Sequence, residues 1–261
     1  MNNYVSPPEL RQMEKLMTSF CYQNGRDSST VFNDFLRYVI SMFDSSFTPM
    51  DNWKYTKEET HKFYEIFVEW VKIMDKKVQN DGWYDAFGDL YMSLIVGKKH
   101  QQNCGQFFTP NCICEFMSQV TAPIEPEPGY DKINTVNDPT CGSGRLLLAH
   151  HSKRPQDYLI AEDIDYTCCL MTVCNFLIHG VNGEVVCRDS LNPSSYNFGW
   201  RVNELLSIIK VPNVRPMEMM ESKAYISGLL LLEQRKEEEQ LKKSETNISD
   251  VASCTKQLVL F

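Results

Sequence analysis

The stretch Asn137-Asp138-Pro139-Thr140-Cys141-Gly142-Ser143-Gly144 limits most strongly what this chain can fold into. Asn134-Thr135-Val136 before it reads as a short strand, and Arg145-Leu146-Leu147-Leu148-Ala149-His150 after it as the first turns of a helix. A strand that breaks into a Gly-rich turn and then a helix is a nucleotide-type binding device. Glycine lets a ligand approach the backbone, and the helix start offers free N–H groups. The turn has Gly-x-Gly, without the third glycine of a dinucleotide fingerprint or the Gly-Lys-Ser/Thr of a phosphate loop. A plain structural turn is the other reading of so short a motif.

The following segments decide between them. Residues 158–161 make a second short strand, ending in Glu162-Asp163-Ile164-Asp165. Residues 167–179 make a helix stopped by Gly180, a suitable C-cap. Val185-Val186-Cys187 is a third strand, closed by Arg188-Asp189-Ser190-Leu191. This β-α-β-α-β order predicts an α/β fold with a doubly wound parallel sheet and a ligand beyond the carboxyl ends of the strands. Residues 205–213 are the candidate fourth strand, residues 217–243 a helix, and residues 244–255 a polar, flexible tail.

Upstream of the sheet the spacing of apolar residues predicts helices over 10–22, 31–43, 57–78 and 84–96, whose aromatic stripes form a core. Gly105-Gln106-Phe107-Phe108-Thr109-Pro110 is a compact turn that opens a helix over 111–120, followed by a Pro-rich loop over 122–129. The expected units are a helical N-terminal domain (1–103), a cofactor-binding domain (104–215), a C-terminal helix (216–243) and a flexible tail (244–261).

Charge and cysteine usage narrow the partners. A net charge of −8 is not that of a stand-alone DNA binder, since phosphate contacts supply most of such a protein's affinity. Lys98-Lys99-His100 and Lys153-Arg154 are local basic patches near the turn, or simply solvated loops. Ten cysteines and five histidines show no ligand spacing, so no metal is expected, and reduced thiols point to a cytoplasmic protein. The start lacks the basic and apolar regions of a signal peptide, and no apolar run reaches the ~18 residues of a membrane span.

Five stretches occur in a fixed order: Asp85-Ala86-Phe87-Gly88-Asp89-Leu90-Tyr91, Gly105 through Pro110, Asp138 through Gly144, Asp163-Ile164-Asp165, and Arg188 through Leu191. Together they resemble the modification subunit of type I restriction–modification systems, in the N6-adenine DNA methyltransferase family. The resemblance covers roughly residues 85–191. It implies a Rossmann-like methyltransferase sheet, S-adenosylmethionine as cofactor and DNA as substrate. On that resemblance Asp138, Pro139, Cys141, Gly142 and Gly144 lie under the methionine portion of the cofactor, with Asp138 accepting from its ammonium group. Phe108, Thr109 and Pro110 match the second methionine-binding element, Thr109 bonding the carboxylate. An acid at the end of the second strand takes the ribose hydroxyls. Asp163 aligns with the family pattern, Glu162 is its neighbour, and alternation along the strand lets only one of them point correctly. Asp189, with Ser190 and Leu191, ends the third strand where the family accepts from the adenine amino group; a turn cap is the plainer role. Cys141 is a small filler.

Adenine methylation also needs a flipped base to be held. The family does this with Asn-Pro-Pro-Tyr/Phe after the fourth strand, and that motif is not found. Asn192-Pro193-Ser194-Ser195-Tyr196 has the outer residues at the wrong spacing. Two mechanisms follow: an active enzyme in which Asn192 or Asn213 stands in for the missing amide, or a catalytically degenerate, truncated member that binds cofactor without chemistry. The end, Gln257-Leu258-Val259-Leu260-Phe261, is similar to the pentapeptide with which bacterial replication and repair proteins grip the sliding clamp. It supports an alternative from another class, a non-enzymatic adaptor of restriction or replication machinery.

Overall fold

The computed structural model describes residues 6–46, 50, 52–96, 108–121 and 133–257. The Lys98-Lys99-His100 patch, Gly105, Gln106, Phe107, the Pro-rich loop and Leu258 through Phe261 of the clamp-like motif lie outside the described residues.

Four helices form the first part, as the apolar spacing predicts: α1 (Arg11–Gln23), α2 (Ser28–Ser41), α3 (Lys57–Asp81) and α4 (Ala86–Tyr91). Their starts are set by local side chains. The Asp27 carboxylate accepts from the Thr30 amide at 2.9 Å, and Thr56 with Glu59 makes a capping box at the start of α3. After Tyr91 the fourth helix loosens into a π turn over Met92–Val96. Phe32, Phe35, Phe63, Trp70 and Phe87 are fully buried between these helices, the Trp70 and Phe87 rings 4.8 Å apart.

The second part follows as α5 (Asn111–Thr121), β1 (Thr135–Asp138), α6 (Arg145–His151), β2 (Tyr158–Asp163), α7 (Tyr166–His179), β3 (Gly183–Cys187), β4 (Phe198–Val202), α8 (Leu206–Ile209), β5 (Val214–Met217) and α9 (Lys223–Gln257). The five strands lie in the order β1-β2-β3-β4-β5. The α/β sheet behind a helical N-terminal part is therefore present, but it is mixed. β1, β2 and β3 are parallel, whereas β4 runs antiparallel to β3, and β5 antiparallel to β4.

Three further expectations are corrected. The fourth strand is Phe198–Val202, not residues 205–213, where a single helical turn ends at Lys210 with φ +59°. The helix expected from residue 217 begins at Lys223, because Met217 ends β5, and it runs to Gln257 through the stretch read as a flexible tail.

Helix α7 ties the two parts together. Cys169, Val173, Phe176 and Leu177 join the core on one sheet face, while Cys168, Leu170, Met171 and Cys174 join the core of the N-terminal helices. A helix packed on both sides must be apolar nearly all round, which is how its sequence reads. The opposite sheet face, with Tyr158, Ile160 and Val186, packs on Ala224 of α9.

Candidate functional site

The carboxyl ends of β1, β2 and β3 lie on one edge of the sheet, as their parallel register requires. Between β1 and α6 the chain makes the Gly-rich turn. Gly142 has φ +56° and Gly144 φ +85°, left-handed conformations that side chains rarely adopt. A Cβ on Gly142 would press on the Phe108 ring at 3.0 Å, and one on Gly144 on the Thr172 side chain at 3.0 Å. The turn is pinned from within: the Cys141 amide donates to the Glu162 carbonyl at 2.8 Å, and the Gly144 amide to the Cys141 carbonyl at 2.8 Å.

Three carboxylates follow the strand ends. Asp138 closes β1 and accepts from the Thr140 amide at 3.1 Å. Asp163 closes β2; one of its oxygens accepts from the Gly142 amide at 2.9 Å and the other from the Asp165 amide at 2.9 Å. The Ile164 amide adds to these, and the carboxylate's remaining acceptor capacity is open to a further donor. Asp189 follows β3 and accepts from the Leu191 amide at 3.0 Å, which is the turn-capping role. With neighbouring strands about 4.8 Å apart, the row spans roughly 10 Å. Burial raises the carboxyl pKa of Asp138; the Thr140 amide opposes this, and the Asp163 and Glu162 charges add to it. Burial likewise raises that of Asp163 against the hydrogen bonds from the Asp165 and Gly142 amides. Two half-buried acids with raised pKa values favour a cation beside them.

The choice between Glu162 and Asp163 is a matter of faces. Glu162 accepts from the Asn137 side chain at 2.7 Å and pairs with Arg188 at 3.1 Å, while Asp163 holds the turn. Phe108, Thr109, Pro110, Asp138, Pro139, Cys141, Gly142, Gly144 and Asp163 thus gather around the turn. Asp189, Ser190 and Leu191 sit on the loop after β3, at the same edge, with Leu191 almost fully exposed. Cys141 is buried, and burial pushes its thiol pKa well up, consistent with a filler rather than a nucleophile.

The residues that support the turn carry no role in the sequence reading. Thr172 donates to the Gly142 carbonyl at 2.9 Å, and Asn175 to the Ser143 carbonyl at 2.8 Å. Both are fully buried on α7, and a Thr and an Asn three residues apart inside a Cys- and Leu-rich helix are the signal that marks them. Asp85, quoted only as part of a motif, accepts from the Ser143 hydroxyl at 2.5 Å.

The two candidate amides lie at opposite ends of the strands. Asn213 precedes β5 at the amino end of the parallel strands, across the sheet from the turn, and its side chain donates to the Val211 carbonyl at 3.0 Å. Asn192 is at the right edge, but its side-chain oxygen accepts from the Ser194 amide at 3.2 Å and hydroxyl at 2.8 Å. Of the Lys153-Arg154 patch, Arg154 is buried and bonds Asp157 at 2.9 Å. Among the described residues no cluster of acids, histidines and cysteines has the geometry to hold a metal, and no helix is long and apolar enough to cross a membrane.

Residues 82–211 match the sequence model of the family described as N-6 DNA Methylase. Over 124 residues the chain is 28% identical to the type I restriction enzyme MpnII methylase subunit of Mycoplasma pneumoniae, a match that takes in 43% of this chain and 22% of that subunit. The chain therefore spans about a fifth of the length of this curated relative. A solved methyltransferase subunit of a type I restriction–modification system from Streptococcus thermophilus superposes with a TM-score of 0.33 at 20% identity, covering 69% of this chain and 38% of that one.

Proposed function

Residues 82–211 make this chain a member of the N-6 DNA methylase family, and on that basis we propose that its glycine turn holds S-adenosylmethionine for adenine-N6 methylation of DNA. The observation that carries the reading is the row of Asp138, Asp163 and Asp189 along three strand ends, beside a turn in which Gly142 is left-handed and packs close against Phe108. These residues fit such a cofactor. Its ammonium and sulfonium charges meet acids that burial leaves short of positive charge, its ribose diol meets the remaining lone pairs of Asp163, and its adenine amine meets Asp189. When bound, the cofactor supplies an activated methyl group.

The chain's own part is to bind and orient. Asp138 and the Gly142–Gly144 backbone take the amino-acid end, with Phe108, Thr109 and Pro110 closing over it. Asp163 sets the ribose, and Ile164 and Leu191, both largely exposed, flank the place of the base. Holding the target adenine is a different task. Asn192 is engaged by its own loop and Asn213 lies across the sheet, so we assign this chain the donor-binding step and no methyl transfer by itself. DNA is reached with a partner subunit, which agrees with the net charge of −8.

Calorimetric titration with S-adenosylmethionine and S-adenosylhomocysteine tests the reading. The expected outcome is binding by the intact protein, lost in Asp138→Ala and Asp163→Ala, with no methyl incorporation into unmethylated DNA. Methyl incorporation by the isolated protein would overturn the second half. Absence of binding would overturn the first, leaving the adaptor role and a pull-down with purified clamp to decide it.

A further inference from the structure

The Gly-rich turn is held by the N-terminal helices as well as by its own sheet. Asp85, 1% exposed, caps α4 by accepting from the Gly88 amide at 2.8 Å, and the same oxygen accepts from Asn175 at 2.8 Å. Its second oxygen accepts from the Ser143 hydroxyl at 2.5 Å and from Arg145 Nε at 2.5 Å. One arm of the Arg145 guanidinium then reaches Asp89 at 2.6 Å, while the other reaches the Thr109 carbonyl at 3.5 Å. The group also lies over the Phe108 ring, 5.5 Å from its centre.

Arg145 is the first residue of α6 and follows Gly144 directly. A single side chain therefore joins α4, the turn and the Phe108-Thr109-Pro110 element. Only a planar fork can point three donors in these directions at once; an ammonium group is a single point charge. Gly88 is part of the same fit, because a Cβ there would run into the Asp85 carboxylate and the Ser143 hydroxyl. Burial opposes the charge on Arg145, but Asp85 and then Asp89 more than offset it, so the guanidinium stays charged. The price of the arrangement is that two acids share one cation away from water.

We propose that Arg145 and Asp85 are positioning residues that lock the shape of the methyl-donor turn to the N-terminal helices, so that docking of those helices sets cofactor affinity. This rests on the cofactor reading of the turn.

Arg145→Lys keeps the charge and fold while losing the fork, and Asp89→Asn keeps the Asp85 contacts; both are compared with wild type as full chains. Hydrogen exchange is read over residues 138–148 and over β2, and S-adenosylmethionine affinity by calorimetry. In Arg145→Lys, exchange speeds up in the turn and not in β2, and affinity falls roughly tenfold to a hundredfold, the scale of a lost charged hydrogen bond. Asp89→Asn gives a smaller change in the same direction. Unchanged exchange in the turn, or equal acceleration in β2, overturns the proposal, the latter because it marks a purely structural role. If wild type binds no cofactor, the cofactor reading falls and with it the effect on affinity, while the exchange comparison still decides whether the lock exists.

Discussion

Asp138 and Asp163 make the site's pH behaviour calculable in sign. Burial raises both pKa values, so in the unliganded protein these groups contribute stability below the ordinary carboxylate range and lose it as pH rises through the raised values. A cationic ligand reverses the preference, because it needs them ionised. Binding should then release protons as the two carboxyls ionise, and affinity should fall as pH drops through the raised values. Titration in two buffers of different ionisation enthalpy checks this; a heat independent of buffer would contradict it. His179 behaves oppositely. Burial lowers its pKa from 6.5 to about 4, its ring accepting from the Tyr84 amide at 3.2 Å and bonding the Asn175 carbonyl at 2.7 Å. A depressed histidine adds stability above its ordinary pKa and loses it as pH falls towards the folded value. The melting temperature should therefore drop between pH 6.5 and about 4, and His179→Gln should flatten that drop.

At the scale of elements, turns and caps separate the correct expectations from the wrong ones. The start of α3 and the turn before α6 were legible because Thr56 with Glu59, and Gly142 with Gly144, impose them locally, whereas α3 runs three residues past its expected end to Asp81. Gly144→Ala should cost about 1–2 kcal/mol for the left-handed conformation alone, with more from the Thr172 contact, measurable as a lower urea midpoint. The fourth strand was misplaced for a matching reason. Residues 205–213 are apolar enough for a strand, yet Leu206–Ile209 coil into one turn and Asn203 and Asn213 bond each other across the connection. Phe198–Val202 earns its place by pairing with β3, through Cys187 with Phe198 and Val185 with Trp200, and such partners are invisible in the strand's own residues.

The whole molecule is joined through α7. Because its two sides belong to two cores, the helical part and the sheet should unfold in one transition despite their different architectures. Trp70→Ala, far from the sheet in sequence, should destabilise by ~3–5 kcal/mol and shift far-UV and near-UV transitions together. Two separated transitions would show that the helices and sheet are independent. The same continuity explains how Asp85 can act on a turn 58 residues later in the chain.

Sequence alone determined the helical first part, the β-α-β-α-β order, the glycine turn and the acids at the strand ends. Each follows from period, capping or backbone freedom, which act over a few residues. Tertiary structure decided which of Glu162 and Asp163 faces the turn, that β4 reverses direction between β3 and β5, and that Asn192 bonds within its own loop while Asn213 lies at the amino end of the parallel strands. It also brought Asp85, Arg145 and Asn175 behind the turn Asp138 through Gly144. Those outcomes depend on partners distant in the chain, and a buried hydrogen bond leaves its mark in sequence only as a polar residue where an apolar one would otherwise stand.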